Sequence, residues 1–290
     1  MDSKDHIRNP IEWVMDEVKA VGGVIEKADH NLRHPDEAKQ SELTIRRIEI
    51  VDLKDALVKG FADLGAYRTD IIFVCIIYPV AGLVLSRLLF GYDMLPLLFP
   101  LLSGFALIGP VAAVGLYEIS RRRERGDKVT WLDAFGVIRA PAFTSIIALG
   151  LVLLGIFLVW LGAAYAVYAA TLGPEPPVAI GAFIGDVFTT SAGWAMIIFG
   201  FGIGFLFALL VLTISVVSFP LLLDKNVGVN KAIETSVRAV RANPKTMAVW
   251  GMIVAGSLVL GSLPALLGLI IVMPLLGHAT WHLYRKVVGH

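Results

Sequence analysis

The chain has 290 residues, 57% of them hydrophobic and only 17% charged, with a formal net charge of +1 and a mean hydropathy of +0.75. A soluble domain carries about 25% charged residues, and a nucleic-acid protein needs a strongly basic face that a charge of +1 does not supply. The single cysteine, Cys75, leaves neither an internal disulfide framework nor a cysteine zinc site. What remains is an all-α integral membrane protein.

Residues 1–70 are polar and hold 26 of the 49 charges. They lack the apolar core of a signal peptide, so neither cleavage nor export is expected. Residues 1–44 read as a cytoplasmic N-terminal extension and 45–290 as the membrane domain. In the extension, Asn9-Pro10-Ile11-Glu12 has the form of a helix start, with Asn as N-cap and Pro at the first helical position. Ile11, Val14, Met15, Val18, Val21 and Ile25 then make one apolar stripe, which has to dock on something. Ile11, Trp13, Val14 and Val18 are its candidate partner-packing residues.

A bilayer core needs about 20 apolar residues in helix. Residues 71–90, 94–117, 142–168, 194–222, 247–262 and 264–284 meet this need, the last two divided at Gly261-Ser262-Leu263-Pro264. Six spans are therefore expected. Lys and Arg number 11 in residues 1–70, six in 118–141, five in 223–246 and two in 285–290, so 24 of 25 fall on one side of a six-span chain. The exception, Arg87, is placed to snorkel or to pair with Asp93. The positive-inside rule then puts both termini in the cytoplasm.

The segments before the spans resemble one another. Leu53, Ala56, Leu57, Gly60, Phe61 and Leu64 share a helix face, and Val229, Ala232, Ile233, Ser236, Val237 and Val240 repeat it 176 residues later. Trp131, Ala134, Phe135 and Ile138 match in part, with Arg139 where an apolar residue is wanted. Pro110 to Arg122 and Pro274 to Lys286 share Pro, aromatic and basic positions. Three units are implied, each an amphipathic surface helix followed by a helical hairpin.

The spans hold no Asp, Glu or Lys in their central parts, which argues against a proton-relay pump or a carboxylate-coupled transporter. No phosphate loop, serine elbow or zincin motif occurs, so neither catalytic residues nor a cofactor are expected. His278 and His282, four apart on one helix face, are the only candidate metal ligands. The other histidines lie in polar tails, so an interfacial cluster with Trp281 and Tyr284 is the plainer reading. Arg121, Arg122, Arg123, Arg125, Trp281 and Arg285 are candidate lipid-headgroup contacts. Gly200-x-x-x-Gly204 and Gly251-x-x-x-Ala255 are small-residue faces for helix packing, within the chain or with a partner.

Two series of residues carry a family resemblance. Leu221-Leu222-Leu223-Asp224-Lys225-Asn226-Val227, Thr235 to Val240, Asn243-Pro244 and Val249-Trp250 form one. Pro274-Leu275-Leu276-Gly277-His278-Ala279-Thr280-Trp281-His282-Leu283-Tyr284-Arg285 is the other. They resemble the uncharacterised bacterial integral-membrane family catalogued as domain of unknown function 2189, over roughly Ile45 to Val288. The resemblance implies a bacterial inner-membrane location. Some members carry the label of a cytochrome c oxidase subunit I-like protein, but the catalytic oxidase subunit uses several intramembrane histidines and this chain has one pair on one helix.

Three functions are weighed. The first is a non-catalytic accessory or organising subunit that binds another membrane complex, with the respiratory machinery suggested only by the family label. The second is a lipid-handling or small-molecule membrane protein with a cavity between hairpin units. The third is a haem- or metal-bearing redox subunit through His278 and His282. Membrane lipids and another membrane protein are the expected partners, and nucleic acid is not.

Overall fold

Backbone amides in an apolar surround must find partners inside the chain, and this sequence satisfies them with helices. The computed structural model describes residues 43–66, 95–175, 177, 179–264 and 266–289. These contain no strand, and their one sheet-like pairing is an antiparallel bridge between Ile45 and Val288. In chain order the α-helices are α1 (Ile50–Ala66), α2 (Leu98–Ala112), α3 (Val114–Glu124), α4 (Phe143–Thr171), α5 (Ile180–Thr189), α6 (Ser191–Ser215), α7 (Ser218–Lys225), α8 (Val229–Ala242), α9 (Pro244–Ser262) and α10 (Leu269–Val287). A 3₁₀ turn at Leu95–Leu97 precedes α2, and a longer 3₁₀ segment, Trp131–Arg139, lies between α3 and α4.

Local chemistry sets the boundaries. Pro244 opens α9, where its missing N–H costs no hydrogen bond. Asn226 closes α7 in the left-handed conformation, φ 48°, which Asn tolerates better than most residues. The Thr190 hydroxyl caps α6 by accepting from the Gly193 amide at 2.9 Å.

Among the described residues, length and composition support three spans, and not every span expected there. Phe143–Thr171, Ser191–Lys225 and Pro244–Ser262 are long and apolar enough to cross a membrane. The first expected span, 71–90, lies outside the described residues. The second, 94–117, is broken at Ala113 into a 15-residue helix and the start of α3. The sixth, 264–284, begins as helix only at Leu269, and α10 carries His278, His282, Arg285 and Lys286 in its second half. The apolar run seen in sequence is there interrupted by turns, including Leu266 at φ 68°.

Among the described residues, burial is concentrated in one group of helices. There α3, α7 and the second half of α10 pack on one another as a three-helix collar. Each follows a disturbance in its chain: the turn at Ala113, the turn at Val216–Val217, or Pro274 within α10. Phe219, Leu222, Trp281 and Tyr284 are fully buried here. By contrast, only 22%, 6% and 22% of the most apolar stretches of the three spanning helices are buried.

Three flanking segments pack around the collar. The α1 helix runs antiparallel to α10, with Asp52 beside Lys286, Gly60 against Ala279 and Asp63 beside His282. The 3₁₀ segment lies on α3 at Gly115 and Ala134. The α8 helix lies on α6 and α7, where the Ser236 hydroxyl donates to the Thr213 carbonyl at 2.8 Å. Lys286–Asp55 at 2.9 Å and Arg122–Asp133 at 2.6 Å are ion pairs at matching positions of the first two contacts. In the third, Lys231 stands where the others have Asp and pairs with Glu234 instead. The stripe expected over Trp131–Ile138 differs too: Ala134 faces α3, whereas Phe135 and Ile138 point outward.

Gly60 decides how close α1 comes to α10. A Cβ there would lie 2.7 Å from the Ala279 amide nitrogen and 2.9 Å from its Cα, and neither backbone atom can give way. Gly60→Leu is expected to lower stability by more than the roughly 1–3 kcal/mol of ordinary overpacking, read as a fall in the thermal unfolding midpoint in detergent. Gly65→Ala, on the open side of the same helix, should raise the midpoint slightly through helix propensity.

Candidate functional site: a buried carboxylate between three helices

The buried register of α1 runs Leu53, Ala56, Gly60, Asp63, one residue per turn. The close approach at Gly60 carries Asp63 to the face of α10 on which His278 and His282 stand. Arg123 and Ser120 reach the same point from α3. The Asp63 side chain is 7% exposed, His282 16%, and His278 not at all.

Every group around Asp63 donates toward it. Arg123 Nη1 donates to Oδ1 at 2.6 Å, and also to the Ala62 carbonyl. The Ser120 hydroxyl donates to Oδ2 at 2.6 Å, and His282 Nε2 lies 2.9 Å from the same oxygen. Burial pushes the Asp63 carboxyl up, but hydrogen bonds from His282 and Ser120 and the neighbouring charges outweigh it and hold the group below its ordinary value.

This pattern assigns the protons. An ionised carboxylate only accepts, so His282 carries its proton on Nε2. Ser120 gives its proton to Asp63, so its oxygen accepts from His278 Nδ1 at 2.7 Å. A neutral His278 then has a bare Nε2, which among the described residues is a buried side-chain atom without a hydrogen-bond partner. Ser120 is 1% exposed with both roles taken, so it does not serve as a nucleophile.

A second knot ties the tips of the collar helices. Arg285 of α10 reaches Glu124 of α3 at 3.0 Å and Asp224 of α7 at 3.5 Å. Trp281 Nε1 donates to Glu124 at 3.2 Å, and the Tyr284 hydroxyl to Asp224 at 2.7 Å. A strap completes the structure: Asn243 accepts from the Ile48 amide at 2.8 Å and donates to the Arg46 carbonyl at 3.1 Å. Residues 44–46 also hydrogen-bond to Val287 and Gly289.

The sequence-derived candidates distribute as follows. His278 and His282 come together at Asp63, and among the described residues no three His, Cys, Asp or Glu side chains are placed to hold a metal ion. Arg121 pairs with Glu118, Arg122 with Glu118 and Asp133, and Arg123 with Asp63, while Arg125 is exposed. Trp281 is fully buried and faces neighbouring helices, with Arg285 beside it in the second knot. Gly204 faces Trp160 and Gly251 faces Leu212, whereas nothing approaches Gly200 and Ala255 is exposed. Ile11, Trp13, Val14 and Val18 lie outside the described residues, as does Arg87.

Residues 98–224 match the family described as "Predicted integral membrane protein (DUF2189)". The resemblance drawn from the sequence holds over that stretch, and the chain is an integral membrane protein. The match is shorter than the expected Ile45 to Val288. It spans α2 to α7, including Ser120, Glu124 and Asp224, while Asp63, His278 and His282 lie beyond it. No curated protein and no solved structure matches the chain.

Asp63, Ser120, Glu124 and Asp224 were not singled out from sequence. The signal for Asp63 was present, because it continues the 53, 56, 60 register by one turn. Nothing local paired it with residues more than 200 positions away.

Replacing Asp63 by Asn leaves Arg123 without its counter-charge. Removing one partner of a buried ion pair costs about 3–5 kcal/mol, and the partial exposure of Arg123 puts the loss at the lower end. Because the folded value of Asp63 lies below the unfolded one, its contribution is complete above about pH 3.9 and is lost as pH falls through the folded value. Thermal midpoints measured from pH 7 to pH 3 should show a lower plateau for Asp63→Asn and a shallower acid decline. Asp52 and Asp55, held low chiefly by the Glu49 amide and Lys286, contribute in the same window to both proteins, so the difference isolates Asp63.

Proposed function

We propose that the protein is a non-catalytic accessory subunit of a bacterial inner membrane that holds another membrane protein against its spanning helices. One observation carries this reading: small residues stand on outward faces of α6 and α9. Gly202 and Gly256 are exposed with nothing near their Cβ positions, and Ala255 is exposed beside Gly256. Against lipid a small residue makes few contacts, whereas against a second helix it allows close backbone approach. Large apolar residues flank each gap, including Ile198 and Phe205 on α6 and Met252 and Val259 on α9.

The polar clusters fit this reading. Asp63, Glu124 and Asp224 are engaged with donors from neighbouring elements and hold helices together, while Glu118 pairs with Arg121 and Arg122 of its own helix. The basic segments gather at the collar end, and the positive-inside rule assigns that end to the cytoplasm. A three-unit plan is supported by the matched ion pairs Lys286–Asp55 and Arg122–Asp133.

The tagged protein should leave its native membrane in mild detergent with a defined partner, retained after cross-linking. Gly202→Leu with Gly256→Leu should remove that partner without lowering the unfolding midpoint, because both positions face outward and leucine is the better helix former. Recovery of a lone species after cross-linking would count against the proposal.

A further inference from the structure

The 3₁₀ segment Trp131–Arg139 carries a feature that partner binding does not use. A 3₁₀ helix has three residues per turn, so side chains at i, i+3 and i+6 eclipse one another. Here those positions are Leu132, Phe135 and Ile138, which are 59%, 52% and 58% exposed. They form a straight apolar ridge on the side away from the collar.

The opposite side is fixed to the protein. Val137 is buried, and Ala134 lies close enough to Gly115 that a Cβ there would meet it at 3.1 Å. Asp133 closes a capping box with Thr130 through Oδ2 and accepts from Arg122 through Oδ1 at 2.6 Å. Gly136 leaves room for the same guanidinium: a Cβ there would lie 2.7 Å from Arg122 Nη2. These contacts hold the ridge outward.

Its surroundings indicate what covers it. Ala140 and Pro141 lead at once into α4, a membrane-spanning helix whose nearest outward residues are Ile147 and Leu151. The apolar surface thus continues from the ridge onto a lipid-facing helix. Arg139 at the end of the segment, and Arg125 and Lys128 in the turn before it, are exposed and basic. An apolar face bordered by basic residues beside a membrane span has the composition of an interfacial anchor.

We infer that Leu132, Phe135 and Ile138 insert into the headgroup–acyl boundary of the anionic leaflet next to α4, so that the 3₁₀ segment anchors the collar to the bilayer surface. The occupant is lipid, with Arg125 and Arg139 meeting its phosphates while Lys128 stays in water. The inference requires α4 to span the membrane and is independent of the accessory-subunit reading.

The test uses the full chain with Cys75→Ser, reconstituted in phosphatidylethanolamine–phosphatidylglycerol vesicles. A fluorescent label is attached at Leu132→Cys, Phe135→Cys or Ile138→Cys, with Lys128→Cys as the aqueous control and Leu151→Cys as the deep control. Labels at 132, 135 and 138 should be quenched by lipids spin-labelled near the headgroup and shielded from iodide. The label at 128 should show the reverse, and the label at 151 should be quenched by lipids spin-labelled deep in the acyl chain. Iodide quenching at 132, 135 and 138 with normal quenching at 151 would overturn the anchor and leave the span intact. Shielding of the three from both quenchers would overturn it in favour of a second copy covering the ridge. Loss of quenching at 151 as well would overturn both the anchor and the membrane placement of α4.

Discussion

A carboxylate taken out of water must be met by donors from every side, and Asp63 is met from two other helices at once. Desolvation of an ionised group costs several kcal/mol, so the site exists only while α1, α3 and α10 keep their relative positions. Arg123 and Ser120 fix the distance to α3, and His282 fixes the distance to α10. Gly60 allows the approach, because a side chain there would meet the backbone of Ala279. Much of the collar follows from that contact. With α1 pinned, Asp52 and Asp55 meet Lys286, and residues 44–48 are laid across Asn243 and the end of α10.

The outcome is a molecule of two textures. At the collar end, polar and aromatic groups are buried together and paired, down to the Arg285 contact that joins the tips of three helices. In the spanning helices the surfaces are apolar, loosely packed and largely outward-facing. Packed interiors resist small changes, so substitutions in the collar are felt more strongly than those on the outward faces of the spans. Ser120 is committed to two hydrogen bonds, and the His278 ring is sealed beside it, so the polar centre ties α3 to α1 and α10.

The match to the family model extends over α2 to α7 and therefore takes in only part of the centre. Two of the three collar helices fall within it, together with Ser120, Arg123, Glu124 and Asp224. The remaining partners come from both flanks of the match. The centre is closed only by bringing those flanks together, through the bridge of Ile45 with Val288 and the antiparallel packing of α1 on α10.

The membrane character was legible from hydropathy, because apolar content is a local quantity that survives any rearrangement of the chain. So was the amphipathic face of α1, since Leu53, Ala56 and Gly60 recur at the helical period and all three are buried. The histidine pair was legible as a pair, because residues four apart on a helix share a face. The count of crossings was not: turns at Ala113 and between Ser262 and Leu269 interrupt helices whose composition alone reads as continuous. The 3₁₀ form of Trp131–Arg139 was also hidden, since a three-residue period is close to the α period over so short a stretch. Sequence by itself determined an apolar, helical chain with its charges sorted into a few segments, because those properties depend on near neighbours. Only the tertiary structure decided that the sorted charges meet one another, that His278 and His282 serve a carboxylate, and that Leu132, Phe135 and Ile138 face outward, because each depends on contacts between residues far apart along the chain.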